Sequence, residues 1–159
     1  MSNHNRRDIL CSVRGGPESR ATVQRAIELA LESAAGLTFF HIVDAEFLGQ
    51  STPIPAPLSV VYQELVETGK FLMEILADRA RRQGVNEVDY VVREGNIRKQ
   101  LQRMAIESGA EILVLGQPIH GSSRNVFNPA EFQNFVATLE QKGITTTVVQ
   151  INSQSISRD

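Results

Sequence analysis

Cysteine and long apolar runs are scarce in this chain. Cys11 is the single cysteine, so a disulfide framework within the chain is excluded. No apolar run approaches the ~20 residues that a membrane-spanning helix needs. Residues 1–8 are polar and lack the apolar core of a signal peptide. These absences predict a cytoplasmic protein with no membrane contact.

An excess of charge of one sign is also absent. The 16 basic and 18 acidic residues are mixed along the chain and leave a formal charge of −2, so no basic face suggests a nucleic-acid partner. A chain of 159 residues is long enough to bury a core of its own. Without an internal repeat or a linker, we expect one domain over residues 1–159, with polar tails at 1–7 and 153–159.

Five short apolar runs alternate with four amphipathic stretches. The runs predict strands at 8–13, 37–43, 88–92, 111–115 and 144–151. Helices are expected after Glu18 or Ser19, over 58–83, after Asn96 and after Asn128. The second helix is expected to turn these apolar residues inward: Leu58, Val61, Tyr62, Leu65, Leu72, Ile75 and Leu76. The alternation predicts an α/β domain with a mainly parallel sheet.

The loop after the fourth predicted strand, over 116–128, is the strongest candidate for a ligand site. Ligands of open parallel sheets bind at the carboxyl ends of the strands. This loop holds Gly116 and Gly121, and Ser122, Ser123 and Arg124 could donate to a phosphate. Glycines let backbone amides approach an anion, and the dipole of the helix that follows favours one. An ordinary surface loop is the alternative, because a carboxylate at Glu131 would compete for the same amides.

Several segments together resemble the universal stress protein family. The turn from Gly15 to Ser19 looks like the family's Asp-Gly-Ser-Pro-Glu-Ser turn, and Phe40 to Asp44 looks like its His-Val-Val-Asp strand end. The segment from Val92 to Asn96 resembles its glycine turn. Ala110 to Gly116 resembles its Ala-Asp-Leu-Ile-Val-Met-Gly strand. The resemblance runs from Asp8 to Ile151.

The resemblance implies a three-layer open sheet of five parallel strands in the order 3-2-1-4-5. Two helices would cover each face, as in the adenine nucleotide alpha hydrolase-like fold. It also implies a non-enzymatic regulatory module that acts through protein contacts. Members of the family commonly dimerise through the last strand, and here Thr145 to Ile151 is β-prone and uncharged, as an edge covered by a second chain would be.

The resemblance further implies a nucleotide site, from which this sequence departs. ATP-binding members carry Gly-x-x-Gly, nine residues and then Gly-Ser or Gly-Thr. Here Gly116 is followed by Gly121, five positions on, and the closing pair is replaced by Asn128 and Pro129. Proline has neither an amide to donate nor a hydroxyl. Arg14 stands where the family has the aspartate that meets adenosine, and an arginine could instead meet a phosphate or another anion.

The candidate ligand-binding residues are therefore Val13, Arg14, Val43, Gly116, His120, Gly121, Ser122, Ser123, Arg124 and Asn128. No cofactor is certain, and ATP or AMP is the first ligand to test. One alternative is an ATP- or AMP-binding stress sensor of the family's usual type. A second is a ligand-free dimeric interaction protein.

An enzyme is the least supported alternative. The segment from Arg14 to Ser19 distantly resembles the Ser-Gly-Gly-x-Asp-Ser loop of ATP pyrophosphatases, but arginine replaces its leading serine. The sequence has no cluster with metal-ligand spacing, no Gly-x-Ser-x-Gly elbow and no Walker loop. Cys11 is expected to be a buried, inert thiol and His41 a hydrogen-bonded core or rim residue.

Overall fold

The computed structural model describes residues 8–16, 19–44, 56–117 and 127–150. The strands are β1 (Ile9–Ser12), β2 (Leu37–Asp44), β3 (Val88–Gly95), β4 (Ile112–Gly116) and β5 (Thr145–Val149). The helices are α1 (Ser19–Ser33), α2 (Ala56–Arg82), α3 (Ile97–Glu107) and α4 (Pro129–Gln141). All strand pairs are parallel and their order is β3-β2-β1-β4-β5, which confirms the predicted architecture.

The sheet separates two hydrophobic cores. One face packs against α1 and α2, with Val23, Ile27, Met73 and Ala77 among its buried residues. The other face packs against α3 and α4. In the central strands β1 and β4, the residues Ile9, Leu10 and Cys11 and the residues Leu113, Val114 and Leu115 are apolar and buried, because both faces of these strands are covered.

The predicted inward face of α2 is wrong in part. Val61, Leu65, Leu72 and Ile75 are between 37% and 48% exposed. The fully buried side chains of α2 are instead Met73, Ala77 and Ala80. These small or flexible residues let the helix lie close to the sheet. The helix therefore has two apolar stripes, one buried and one exposed. Hydrophobic periodicity alone could not tell which of the two faces the core.

The two edges of the sheet differ in chemistry. On β3, charged residues occupy three of eight positions (Asp89, Arg93 and Glu94), and the Arg81 guanidinium donates a 3.0 Å hydrogen bond to the carbonyl of Val88. On β5, Thr145–Val149 carries no charge, and its side away from β4 pairs with no strand among the described residues. Charges and the Arg81 hydrogen bond protect the β3 edge against another strand, whereas no described residue protects the β5 edge in this way.

No helix in the described part of the chain is long and apolar enough to cross a membrane.

Candidate ligand-binding edge

The strand register brings the exits of β1, β2 and β4 together. Cys11 pairs with Val114, so Val13 and Gly116 each lie two residues further towards the carboxyl edge. The side chains of Val13 and Val43 are 4% and 6% exposed. Their apolar atoms belong to the packed interior, so these two predicted site residues offer a ligand mainly their backbone groups.

His41 holds the exit of β1 against β2. Its Nδ1 lies 2.8 Å from the carbonyl oxygen of Val13. Because a carbonyl only accepts, Nδ1 must carry a proton and donate it in this hydrogen bond. The ring also lies beside Gly15 and Gly69, where added Cβ atoms would come within 3.7 Å and 2.9 Å of it. His41 is therefore the hydrogen-bonded rim residue that the sequence suggested.

The polar groups of the turn after β1 form hydrogen bonds with one another. Gly15 has a φ of +95°, and its amide donates to the hydroxyl of Ser19 over 3.2 Å. The amide of Ser19 in turn donates to the carbonyl of Gly16 over 3.0 Å. Two amides that an anion-binding turn would offer are thus satisfied within the chain. The exposed side chain of Arg14 follows β1 at this edge.

The β2 and β3 side of the edge is acidic. Asp44 ends β2 one position beyond the pair formed by Val43 and Glu94. Tyr62 of α2 lies near both carboxylates, and its pKa is raised by burial of the phenol and further by the negative charges of Glu94 and Asp44. This part of the edge disfavours an anion.

Asn128 and Glu131 exchange two hydrogen bonds that cap the first turn of α4. Asn128 Oδ1 accepts from the Glu131 amide at 2.8 Å, and Asn128 Nδ2 donates to Glu131 Oε1 at 2.7 Å. Arg98 of α3 forms an ion pair with Glu131 and lies 5.3 Å above the centre of the Phe127 ring. The predicted N-cap role of Asn128 is confirmed. The Glu131 carboxylate bonds the side chains of Asn128 and Arg98, and its competition with a ligand for the backbone amides stays a prediction.

Arg98 and its contacts with Phe127 and Glu131 were not predicted from the sequence. These three residues, with Gln102 and Phe135, line a shallow groove of about 280 Å³ between α3 and α4. The pairing depends on how α3 and α4 dock side by side on one face of the sheet, which no local motif encodes.

Five predicted site residues can be placed and five cannot. Val13, Arg14, Val43, Gly116 and Asn128 lie at strand exits or at the helix start along this edge. The other five lie outside the described residues: His120, Gly121, Ser122, Ser123 and Arg124. Within the described ranges, no group of three or more histidine, cysteine, aspartate or glutamate side chains could hold a metal ion.

A comparison with models of known protein families identifies the family of this chain. The model of the universal stress protein family matches residues 5–127, about three quarters of the sequence. The chain belongs to the universal stress protein family. A comparison with curated proteins gave no match.

Solved universal stress proteins share the fold at low sequence identity. A universal stress protein UspA from Lactobacillus plantarum is 17% identical, with a TM-score of 0.64, and the alignment covers 92% of this chain and 99% of that one. A universal stress protein from Archaeoglobus fulgidus in complex with dAMP is 12% identical, with a TM-score of 0.55 and coverages of 93% and 99%. Another, in complex with cAMP, is 19% identical, with the same TM-score and coverages.

Proposed function

We propose that this chain is a non-enzymatic regulatory module that acts through a homodimer and protein contacts. A small-ligand site for a nucleotide or another anion lies at the carboxyl edge of the sheet, near Arg14 and Gly116. Family membership supports the regulatory role. The position of the site follows from the general rule for open parallel sheets.

The N-terminal cap of α4 is the observation that carries this proposal. The Asn128 side chain accepts from the Glu131 amide, and the Glu131 carboxylate, which accepts from Asn128 Nδ2, adds a negative charge there. A phosphate at this helix start would have to displace that carboxylate and break its ion pair with Arg98. ATP binding of the family's usual type is therefore disfavoured.

An adenine mononucleotide sensor is the second candidate. Its support comes from the relatives solved with dAMP and with cAMP, each of which has one phosphate. The charges of the edge suit a ligand with one anionic end, since Arg14 lies at the exit of β1 while Asp44 and Glu94 lie at the carboxyl ends of β2 and β3. The donors of a base or a ribose would suit that acidic side.

The homodimer is proposed to form through β5. The strand carries no charge over Thr145–Val149, while the opposite edge is covered by Arg81 and carries three charged residues. Pairing of two β5 strands about a twofold axis would satisfy the backbone groups that β4 leaves unpaired. The amides of Thr145 and of every second residue after it face β4, so the free edge offers the amides of Thr146 and Val148. Val148→Pro removes one of these donors and is expected to shift the protein towards monomers in sedimentation velocity.

The turn after β1 gives little support to the pyrophosphatase alternative. The amides of Gly15 and Ser19 donate within the turn. With ATP and magnesium, we expect no release of pyrophosphate above a buffer control over several hours. Release by the wild-type protein, lost in Arg14→Ala, would contradict the non-enzymatic assignment.

A thermal-shift series tests the ligand site. A ligand at about 100 times its Kd stabilises a protein by about 2.7 kcal/mol, which gives a clear shift in Tm. We expect ATP to stabilise no more than AMP does at equal millimolar concentrations. A larger shift in Tm with ATP would show that the cap of α4 does not disfavour ATP binding.

The same series separates the two candidates. Shifts with AMP or cAMP that are lost in Arg14→Ala would support the sensor. No shift with AMP, cAMP, ATP or inorganic phosphate would eliminate it and leave the interaction module. Arg103→Ala is the matched control, because Arg103 is an exposed arginine of α3 that is paired with Glu107 on its own helix.

A further inference from the structure

The exposed apolar surface of the described chain is concentrated on α2. Of nine exposed large hydrophobic residues, six belong to this helix: Val60, Val61, Leu65, Phe71, Leu72 and Ile75. Over residues 57–68, every side chain is at least partly exposed, and only Leu58, Tyr62 and Val66 are half-buried. Helices in proteins owe most of their stability to tertiary packing, so three turns without a fully buried side chain indicate a missing contact.

The spacing of these residues is that of a coiled coil. Alternating steps of three and four residues run through Leu58, Val61, Leu65, Thr68, Leu72, Ile75 and Arg79, which we call the heptad stripe. At 1.5 Å per residue it extends about 32 Å along the helix. The residues packed on the sheet, Met73, Ala77 and Ala80, lie outside the stripe. A strict seam of this kind is typical of packing against one other helix.

The charges around the stripe favour a second α2 in the antiparallel direction. Acidic Glu64 lies in the first half of the helix, which has no basic residue, and Arg79 ends the stripe. Arg82 is already paired with Asp78 of its own helix at 2.8 Å. Parallel helices would place Arg79 against its own copy, whereas antiparallel helices centred between Thr68 and Leu72 place it one turn from Glu64 of the other chain.

We propose that the heptad stripe binds the heptad stripe of a second copy of this chain, with the two α2 helices antiparallel. The contact is independent of the one proposed for β5, because α2 packs on β2 and β3 and β5 is the opposite edge. Both can form in one assembly. Two different twofold contacts on one chain give species larger than a dimer.

Substitution at the stripe tests the contact. Leu65→Glu and Leu72→Glu place charges at partly exposed positions, so we expect the thermal unfolding of a dilute sample to change little. In sedimentation equilibrium each is expected to raise the Kd of the α2 contact by at least about tenfold. Ile106→Glu on α3, at 43% exposure, is the matched control and should leave association unchanged.

Charge reversal tests the direction of the helices. Glu64→Arg and Arg79→Glu are each expected to weaken association, and the double variant is expected to restore it. Weakening in both single variants without restoration in the double variant would overturn the antiparallel arrangement.

The mass of the assembly in single variants distinguishes the α2 contact from the β5 contact. A Val148→Pro chain, which lacks one donor of the free β5 edge, is expected to keep a dimer that Leu65→Glu abolishes. If Val148→Pro alone gives monomers at about 100 µM, the α2 contact does not exist. If Leu65→Glu lowers Tm equally at all protein concentrations without a change in mass, the stripe packs within its own chain and the proposal is wrong.

Discussion

The imidazole of His41 lies against the backbone of Gly69. A Cβ atom at position 69 would come within 2.9 Å of Cδ2 of the ring. The glycine in the middle of a 27-residue helix therefore has a packing reason: it lets α2 approach β2 at the point where His41 holds the carbonyl of Val13. The contact links the spacing of α2 over the sheet to the exit of β1.

Gly69→Ala is expected to destabilise the protein by about 1–2 kcal/mol despite the better helix propensity of alanine. In a His41→Ala background the ring is gone, and the same change should stabilise by up to about 1 kcal/mol. Urea unfolding of the four proteins measures both effects. Equal changes in the two backgrounds would show that the contact carries no strain.

Asn128→Ala is expected to cost about 1 kcal/mol of unfolding free energy, because the first turn of α4 loses its cap. Asn128→Gly should cost only a few tenths, since glycine is tolerated as an N-cap. Chemical denaturation gives both values. A larger loss for glycine than for alanine would contradict the capping explanation.

Cys11 is expected to be unreactive towards a thiol reagent such as DTNB in the folded protein. The side chain is fully buried in β1, and burial raises the pKa of its thiol far above the usual range, so almost no thiolate forms. In denaturing urea the same thiol should react within minutes. Rapid reaction of the native protein would show that β1 opens readily or is not central.

Tyr62 is expected to make the fold sensitive to alkali. Its pKa is raised by burial and by Glu94 and Asp44, so the folded state holds the phenolic proton more tightly than the unfolded state does. This contribution is complete below the unfolded pKa of about 10 and is lost as pH rises through the folded value.

The comparison of Tyr62→Phe with wild type measures that contribution. The variant should lose less unfolding free energy between pH 8 and pH 11 than wild type does. Tyr90→Phe, at an exposed position of β3, is the control and should lose as much as wild type. An identical loss in all three proteins would contradict the assigned cause.

The layer architecture could be predicted because each strand and helix has a local signal. Leu113, Val114 and Leu115 form an uninterrupted apolar run, and the structure buries all three in β4. The cap at Asn128 was readable for the same reason, since its partner Glu131 is three residues away.

Features that depend on docking could not be predicted. The length of β3 is one, because its last three residues, 93–95, are polar or glycine and become strand only through pairing with β2. The inward face of α2 is another, since the helix offers two apolar stripes. The pairing of Arg98 with Glu131 is a third, because the two residues lie on different helices.

The Arg81 guanidinium on the carbonyl of Val88 makes the two ends of the sheet unequal. A strand-by-strand polymer needs two adhesive edges on every subunit, so that each addition leaves another edge ready for the next. The β3 edge carries this hydrogen bond and three charged residues that oppose a further strand, so we expect association through β5 to stop at two chains. A fibre built by strand addition would then have no second edge from which to grow.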